Sequence, residues 1–353
     1  MITVDIVSPV GGRGGGIENV IRSWTEYIDE DKVNLRVFHL HAGMAYLNGY
    51  PKAYCIDQPF EKADLGHLVR GYELFLQEHG EPEVCIATNW PMMTLACAIV
   101  RQRSGRSMKI VSWVHNQIEM YERENLGGVT EMTNADAHFA INRRIGEQVH
   151  AADPGARVYE IGNPVELPES GNRSDGKADP YQLCYVGRLS YIKHVDIILE
   201  ALYRAKGPWK LTIVGDGEIR KEVEGWIKLL GLSGRVVMSG WQTEPWAECE
   251  DAGILVMASE YEGFPMVACE ASARGKTVIS TPIAGLDDYI TEGRNGYFYP
   301  FEDAAALAGV LDRIETGELV RCDPAVCRES VKPYSTENYY KQVMRALEEL
   351  AAE

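Results

Sequence analysis

Short apolar runs rich in valine and isoleucine recur along the chain, each followed by a stretch whose apolar positions fall at helical spacing. In the first half the runs occupy residues 2–7, 35–40, 84–87, 109–114, 138–141 and 158–161. Unbroken runs of this length suit strands buried on both faces of a parallel sheet, and the helical stretches between them set up a strand–helix–strand rhythm. A polar stretch, residues 166–180, follows Asn163-Pro164-Val165 and carries Gly171, Asn172, Ser174, Asp175 and Gly176, the composition of a linker. The rhythm then restarts with runs at 183–186, 211–214, 236–239, 254–257 and 277–280, separated by helical patterns such as 195–204 and 218–230. The tail, residues 336–353, places Tyr340, Val343, Met344 and Leu347 on one helical stripe, with Thr336 and Glu337 as start signals.

The pattern predicts an α/β protein of two Rossmann-like, doubly wound parallel-sheet domains facing across a cleft. They are residues 1–165 and 181–335, with the tail helix 336–353 assigned back to the first. At 353 residues the chain is too long for one ordinary core and suits two.

Composition narrows the function more than the fold. Hydrophobic residues at 45% and charged residues at 25% describe an ordinary globular chain. A net charge of −17, with no basic cluster longer than Arg143-Arg144, argues against a nucleic-acid partner, which needs a basic face. The acid excess reads as a solvated surface, and peripheral contact with an anionic membrane would require a local basic patch. The eight cysteines are scattered without a CxxC pair, and several fall in apolar patterns as buried thiols do. The first run begins without a charged leader and apolar signal core, which leads us to expect a cytoplasmic protein, at most resting on the inner face of the membrane. No stretch approaches transmembrane length.

Candidate chemistry concentrates at the ends of expected strands. Glu262-Gly263-Phe264-Pro265-Met266-Val267-Ala268-Cys269-Glu270 follows one such strand, and Pro265 is placed to begin a helix. A turn of this kind offers helix N-terminal amides to phosphate or sugar oxygens, between two carboxylates that can each accept from two hydroxyls. An acidic loop before a helix with Glu270 exposed fits the same letters. Gly187-Arg188-Leu189, with Lys193 five residues beyond Arg188, could bring a planar cation and a point cation onto one diphosphate, although the spacing alone fits a surface pair better. Gly215-Asp216-Gly217 and Gly240-Trp241 each close a strand with a residue that permits a tight turn. In the first half, the glycine-rich segment Gly11-Gly12-Arg13-Gly14-Gly15-Gly16 would let backbone amides approach a ligand, but its spacing is not that of the dinucleotide fingerprint, and a structural loop fits as well. His115 follows the run 109–114, where a parallel sheet presents functional groups, although a lone histidine is more often structural. His39, His41 and His194 lack partners at metal-ligand spacing and read as packing or surface residues.

These segments resemble the retaining family-4 glycosyltransferases of the GT-B type, over nearly the whole chain and most strongly across residues 185–299. Glu262 and Glu270 match the family's E-x7-E motif, Gly187-Arg188-Leu189 with Lys193 its G-R-L…K segment, and Gly15, Gly16 and Glu18 its G-G-x-E segment. Within the family, Gly240-Trp241-Gln242 with Pro245-Trp246 is most similar to the lipopolysaccharide 1,6-galactosyltransferase branch. The resemblance implies that Glu262 contacts donor-sugar hydroxyls and that Glu270 binds the ribose. It puts the amides of Gly263, Phe264, Pro265 and Met266 near sugar and diphosphate, and sets Arg188 and Lys193 to neutralise the leaving nucleotide. Gly187, Gly215 and Trp241 then border the nucleotide, Gly15 and Gly16 face its phosphates, and His115 reaches the sugar. Leu286 departs from the pattern, standing where many members carry a small residue.

The function so implied is transfer of a hexose, galactose or glucose, with retention, from a UDP-sugar to a hydroxyl of a glycan or glycolipid. No metal or other cofactor is expected, since the cations serve the leaving group and Asp29-Glu30-Asp31 lies in a polar turn rather than at a strand end. An N-acetylhexosamine donor or another nucleotide sugar is the alternative within the class. Outside it stand an NAD-dependent oxidoreductase, whose glycine spacing and acidic second-strand end are missing, and a nucleotide-sugar-binding protein without turnover.

Overall fold

A computed structural model describes residues 1–9, 16–40, 44–56, 64–105, 107–168 and 178–353. The chain divides into two compact units, Met1–Pro164 with Thr336–Glu353, and Val165–Ser335. Among the described residues every ladder in both sheets is parallel.

The first unit holds β1 (Ile2–Ser8), β2 (Val33–His39), β3 (Ala53–Cys55), β4 (Val84–Thr88), β5 (Lys109–Trp113), β6 (Ala137–Ala140) and β7 (Val158–Glu160), in the order β3-β2-β1-β4-β5-β6-β7. Strands β4 and β6 are buried at every position, which is why they read as unbroken apolar runs. Asp5 and Arg36 stand opposite each other in the β1–β2 register and form a buried bidentate pair at 2.6 and 2.9 Å, with Tyr72 Oη donating to Asp5 at 3.1 Å. Such a pair fixes register more than it stabilises, because desolvation offsets most of the attraction.

Helix Gly16–Tyr27 buries Val20, Ile21 and Trp24, and the Trp24 ring lies 5.4 Å from Trp113 and 6.4 Å from Phe139. The tail helix Thr336–Ala351 packs on this cluster. Trp24 Nε1 donates to Tyr339 Oη at 3.0 Å, and the Ser23 and Tyr340 hydroxyls bond at 2.6 Å. Tyr339 is wholly buried, a contribution of about 1.5–3 kcal/mol for a side chain of this size. The tail is therefore held by an aromatic stripe that includes Tyr339, beside the Tyr340, Val343 and Leu347 positions its period suggests.

The second unit holds β8 (Asp179–Val186), β9 (Lys210–Val214), β10 (Val236–Gly240), β11 (Ala252–Val256), β12 (Thr277–Ser280) and β13 (Gly296–Phe298), ordered β10-β9-β8-β11-β12-β13. Helix Val195–Arg204 lays Val195, Ile198, Leu199 and Leu202 onto a core with Leu211, Ile213, Ile254 and Leu307. Strand β8 begins at Asp179, four residues ahead of its apolar run, because the polar start still pairs with β11 and β9.

Both units follow the doubly wound order 3-2-1-4-5-6, and in each the order reverses at one point, β1/β4 and β8/β11. Connections leave such a point in opposite directions, opening a crevice at the carboxyl ends of those two strands, where ligands of this fold class gather.

Candidate active site

In the second unit Lys193 and Glu262, two of the expected residues, meet at the β8/β11 reversal. Chain leaving β8 makes the turn Gly187-Arg188-Leu189 and then a single 3-10 turn, Tyr191–Lys193. Chain leaving β11 carries Ser259 to Pro265 and enters helix Met266–Ala273. The two loops are tied by the Glu260 amide donating to the Ile192 carbonyl at 2.9 Å. Lys193 Nζ then meets Glu262 Oε1 in a short ion pair, and Ser259 Oγ donates to the same oxygen at 3.0 Å. The side chains are 21% and 17% exposed, enough for solvent to reach them.

Pro265 occupies the capping position of helix Met266–Ala273 rather than its first helical position, with a ψ of 80°. Its carbonyl accepts from Tyr289 Oη at 2.9 Å, and the Phe264 ring is buried against Tyr289 and Tyr334. Gly263 and Pro265 are buried with it, and Met266 is half-buried. The turn is thus pinned by an aromatic trio and a hydrogen bond, so that Glu262 and the helix start hold a fixed relation.

Glu270 lies inside the helix and is partly buried, not the exposed carboxylate that the sequence also allowed. Trp246 Nε1 donates to its Oε2 at 2.9 Å, and the Arg274 guanidinium lies 4.8 Å over the Trp246 ring. Burial holds the Glu270 carboxyl above its ordinary range, against the pull of the indole donor and of Arg274.

The glycines after β8 and β9 answer to each other. The Gly187 amide donates to the Val214 carbonyl at 3.0 Å, and the Leu189 amide to the Asp216 carbonyl at 2.9 Å. A Cβ at Gly215, where φ is +134°, would overlap the Gly187 carbonyl oxygen, and one at Gly217 would overlap that of Leu189. Two backbones approach here as closely as backbones can, which glycine alone permits. Arg188 is not brought to Lys193: its side chain, 70% exposed, reaches Glu218 at 3.5 Å. Trp241 is 72% exposed at the end of β10.

In the first unit Gly15 lies outside the described residues, with the rest of Gly11 to Gly14, and so does His41. Gly16 opens helix Gly16–Tyr27, in which Glu18 is buried. His115, just beyond β5, is buried with its Nε2 3.0 Å from Thr88 Oγ1, at the end of β4. Thr88 Oγ1 also bonds the Trp113 carbonyl at 3.0 Å. A carbonyl can only accept, so the single hydroxyl proton goes there and the hydroxyl accepts from His115 Nε2–H. The lone pair then sits on Nδ1, which is buried without a hydrogen-bond partner among the described residues. Burial pushes the His115 pKa down to about 3, leaving the ring neutral.

Sequence reasoning missed Thr88 and left Trp246 without a role. A polar residue closing an apolar run would have flagged the first; no local signal places the second beside Glu270. Among the described residues no group of three or more histidine, cysteine, aspartate or glutamate side chains is placed to hold a metal ion. No helix there is long and apolar enough to cross a membrane.

Residues 169–333 match the family model "Glycosyl transferases group 1". The chain is 27% identical to the lipopolysaccharide 1,6-galactosyltransferase of Escherichia coli over 346 residues, 94% of each chain. It is 28% identical to the enzyme of that name from Salmonella typhimurium over 328 residues, 89% of each. Among solved structures, the lipopolysaccharide outer core galactosyltransferase WaaB superposes with a TM-score of 0.86 at 25% identity, covering 99% of both chains. Anabaena HepE in complex with UDP shares the fold, with a TM-score of 0.78 at 18% identity over 99% of this chain and 100% of that one. A parallel, doubly wound sheet in each unit, a glycosyltransferase group 1 domain in the second and full-length likeness to a galactosyltransferase agree: this chain is a glycosyltransferase of the GT-B fold, with its group 1 domain at residues 169–333.

Proposed function

We propose that the protein transfers a hexose, galactose or glucose, from a UDP-sugar to a hydroxyl of a glycan or glycolipid in lipopolysaccharide or related polysaccharide assembly, with retention of the anomeric configuration. The observation that carries this reading is the meeting of Lys193 and Glu262, from loops 69 residues apart, at the β8/β11 reversal. A cation for a departing phosphate and a carboxylate for sugar hydroxyls stand side by side, each satisfying the other until substrate arrives. The galactosyltransferase names of full-length relatives, and the UDP and UDP-glucose complexes of HepE, support the donor class.

In this reading the second unit takes the nucleotide sugar and the first serves the acceptor side. Lys193 exchanges Glu262 for the diphosphate, Arg188 swings from Glu218 to join it, and Glu262 turns its oxygens to the sugar. The bond from the anomeric carbon to phosphate oxygen breaks with its electron pair going to UDP, whose charge the two cations and the amides at the start of helix Met266–Ala273 stabilise. The acceptor hydroxyl attacks from the same face and releases its proton to the departing phosphate oxygen. Glu270 accepts from the ribose, and in the first unit neutral His115 offers its Nδ1 lone pair to a hydroxyl. Charge neutralisation by Arg188 and Lys193 asks for no metal.

UDP release from UDP-galactose, UDP-glucose and UDP-N-acetylglucosamine, each with and without EDTA, tests the donor, and a thermal shift with NAD tests the dinucleotide alternative. Release from UDP-galactose or UDP-glucose, unchanged by EDTA, is expected. Release from the N-acetylated donor alone, or stabilisation by NAD alone, would overturn the reading. The anomeric coupling constant of the product reports retention or inversion.

A further inference from the structure

Glu270 is held at its carboxylate and at its backbone. Trp246 Nε1 bonds its Oε2, Arg274 stacks on the Trp246 ring, and Arg274 Nη1 donates to the Glu270 backbone carbonyl at 3.0 Å, one helical turn on. The indole links the carboxylate to the guanidinium, which returns to the backbone of the same glutamate. Trp246 is in turn fixed through its backbone. It caps the short turn Ala247–Cys249, and the Cys249 carbonyl accepts from Lys276 Nζ at 2.8 Å, from a lysine only 1% exposed. An indole has one donor and no acceptor, so it can occupy one carboxylate oxygen and no more. Among the described residues no hydrogen bond reaches Glu270 Oε1.

We propose that Trp246 is a positioning residue for nucleotide recognition: by tying down Oε2 it presents Oε1 of Glu270 to the ribose hydroxyls. The inference rests on the reading above that Glu270 receives the ribose. Around the carboxylate stand Arg274, one turn along its own helix, and Glu166 from the first position of the linker stretch, while Glu244 faces Arg274 from the loop after β10. Arg274 favours the ionised carboxylate and Glu166 opposes it. Loss of the indole donor therefore moves the Glu270 carboxyl further up, and UDP-sugar binding by the variant should weaken at a higher pH than in the wild type.

The test compares UDP with 2′,3′-dideoxy-UDP by calorimetry on the full chain. Trp246→Phe keeps the ring under Arg274 and removes the donor. Wild-type protein should prefer UDP, and Trp246→Phe should lose on the order of tenfold of that preference, the scale of one hydrogen bond to a charged group, while its affinity for the dideoxy ligand holds. An undiminished preference in Trp246→Phe overturns the role of Trp246. A wild-type protein that binds both ligands equally overturns instead the placement of ribose at Glu270. Should the variant fail to fold, the indole N–H resonances of tryptophan-labelled wild type give the same answer. One should move with pH as Glu270 titrates and stop moving in Glu270→Gln, and the absence of such a resonance overturns the proposal.

Discussion

The carboxyl ends of the two sheets carry opposite kinds of polar chemistry. At the strand ends of the second unit the groups are charged and reached by solvent: Lys193 with Glu262, part-buried, and Arg188 with Glu218, exposed. At the ends of β4 and β5 in the first, the groups are neutral and buried, Thr88 with His115, and the imidazole cannot hold a proton near neutral pH. An ion pair that solvent can reach trades partners, because water screens the charges while they part. A buried neutral pair cannot, because an orphaned donor costs about 1–3 kcal/mol. The same fold thus supplies an exchangeable charge site in one unit and a rigid, uncharged contact in the other.

Removing the exchangeable cation tests this contrast most strongly. Lys193→Ala should lower turnover of the UDP-sugar roughly a hundredfold, the scale of deleting one preorganised charge-stabilising group. Its melting temperature should hardly move, and a melting temperature that falls with the activity would make Lys193 structural. Next is the backbone contact that frames the site. Gly215→Ala forces a Cβ onto the Gly187 carbonyl and should cost about 2–4 kcal/mol in urea unfolding, with weakened UDP binding, while Gly231→Ala, where the space is open, should cost less.

In the first unit, Thr88→Val should destabilise by about 1–3 kcal/mol by stranding His115 Nε2–H, whereas Thr88→Ser should restore most of the loss. The pH dependence follows the same pair. His115 has a folded pKa of about 3 against an ordinary 6.5, so the unfolded chain binds the proton first. The stability it contributes is present above 6.5 and is lost as pH falls through the window from 6.5 to about 3, at up to about 1.4 kcal/mol per pH unit. His138, lowered to about 4, acts in the same direction. His115→Phe should flatten this acid limb in calorimetric melts, and an unchanged slope would refute the buried neutral ring. The smallest effect belongs to the tail: Tyr339→Phe should cost about 1 kcal/mol by leaving Trp24 Nε1 without its acceptor.

Eleven of the thirteen strands among the described residues are legible as apolar runs because a parallel sheet covered on both faces demands them. The other two, β3 and β13, are three-residue edge strands whose partners supply the pairing that their letters do not. Among the candidate residues, Glu262, Glu270, Arg188, Lys193 and His115 stand out by residue type and by their place after strands. Their partners do not. Lys193 finds Glu262 across 69 residues and Trp246 finds Glu270 across 24, distances over which no local periodicity carries information.

What the letters alone determined, then, is the alternation of buried strands and amphipathic helices, the restart of that alternation in a second half, and the chemical types at the strand ends. These depend on nearest neighbours and on burial, which short windows of sequence encode. Only tertiary structure decided which side chains share a charge, which glycines meet backbone, which imidazole nitrogen keeps its proton, and which oxygen of Glu270 is left to a ligand. Those outcomes depend on distances between loops that the order of strands in the sheet brings together.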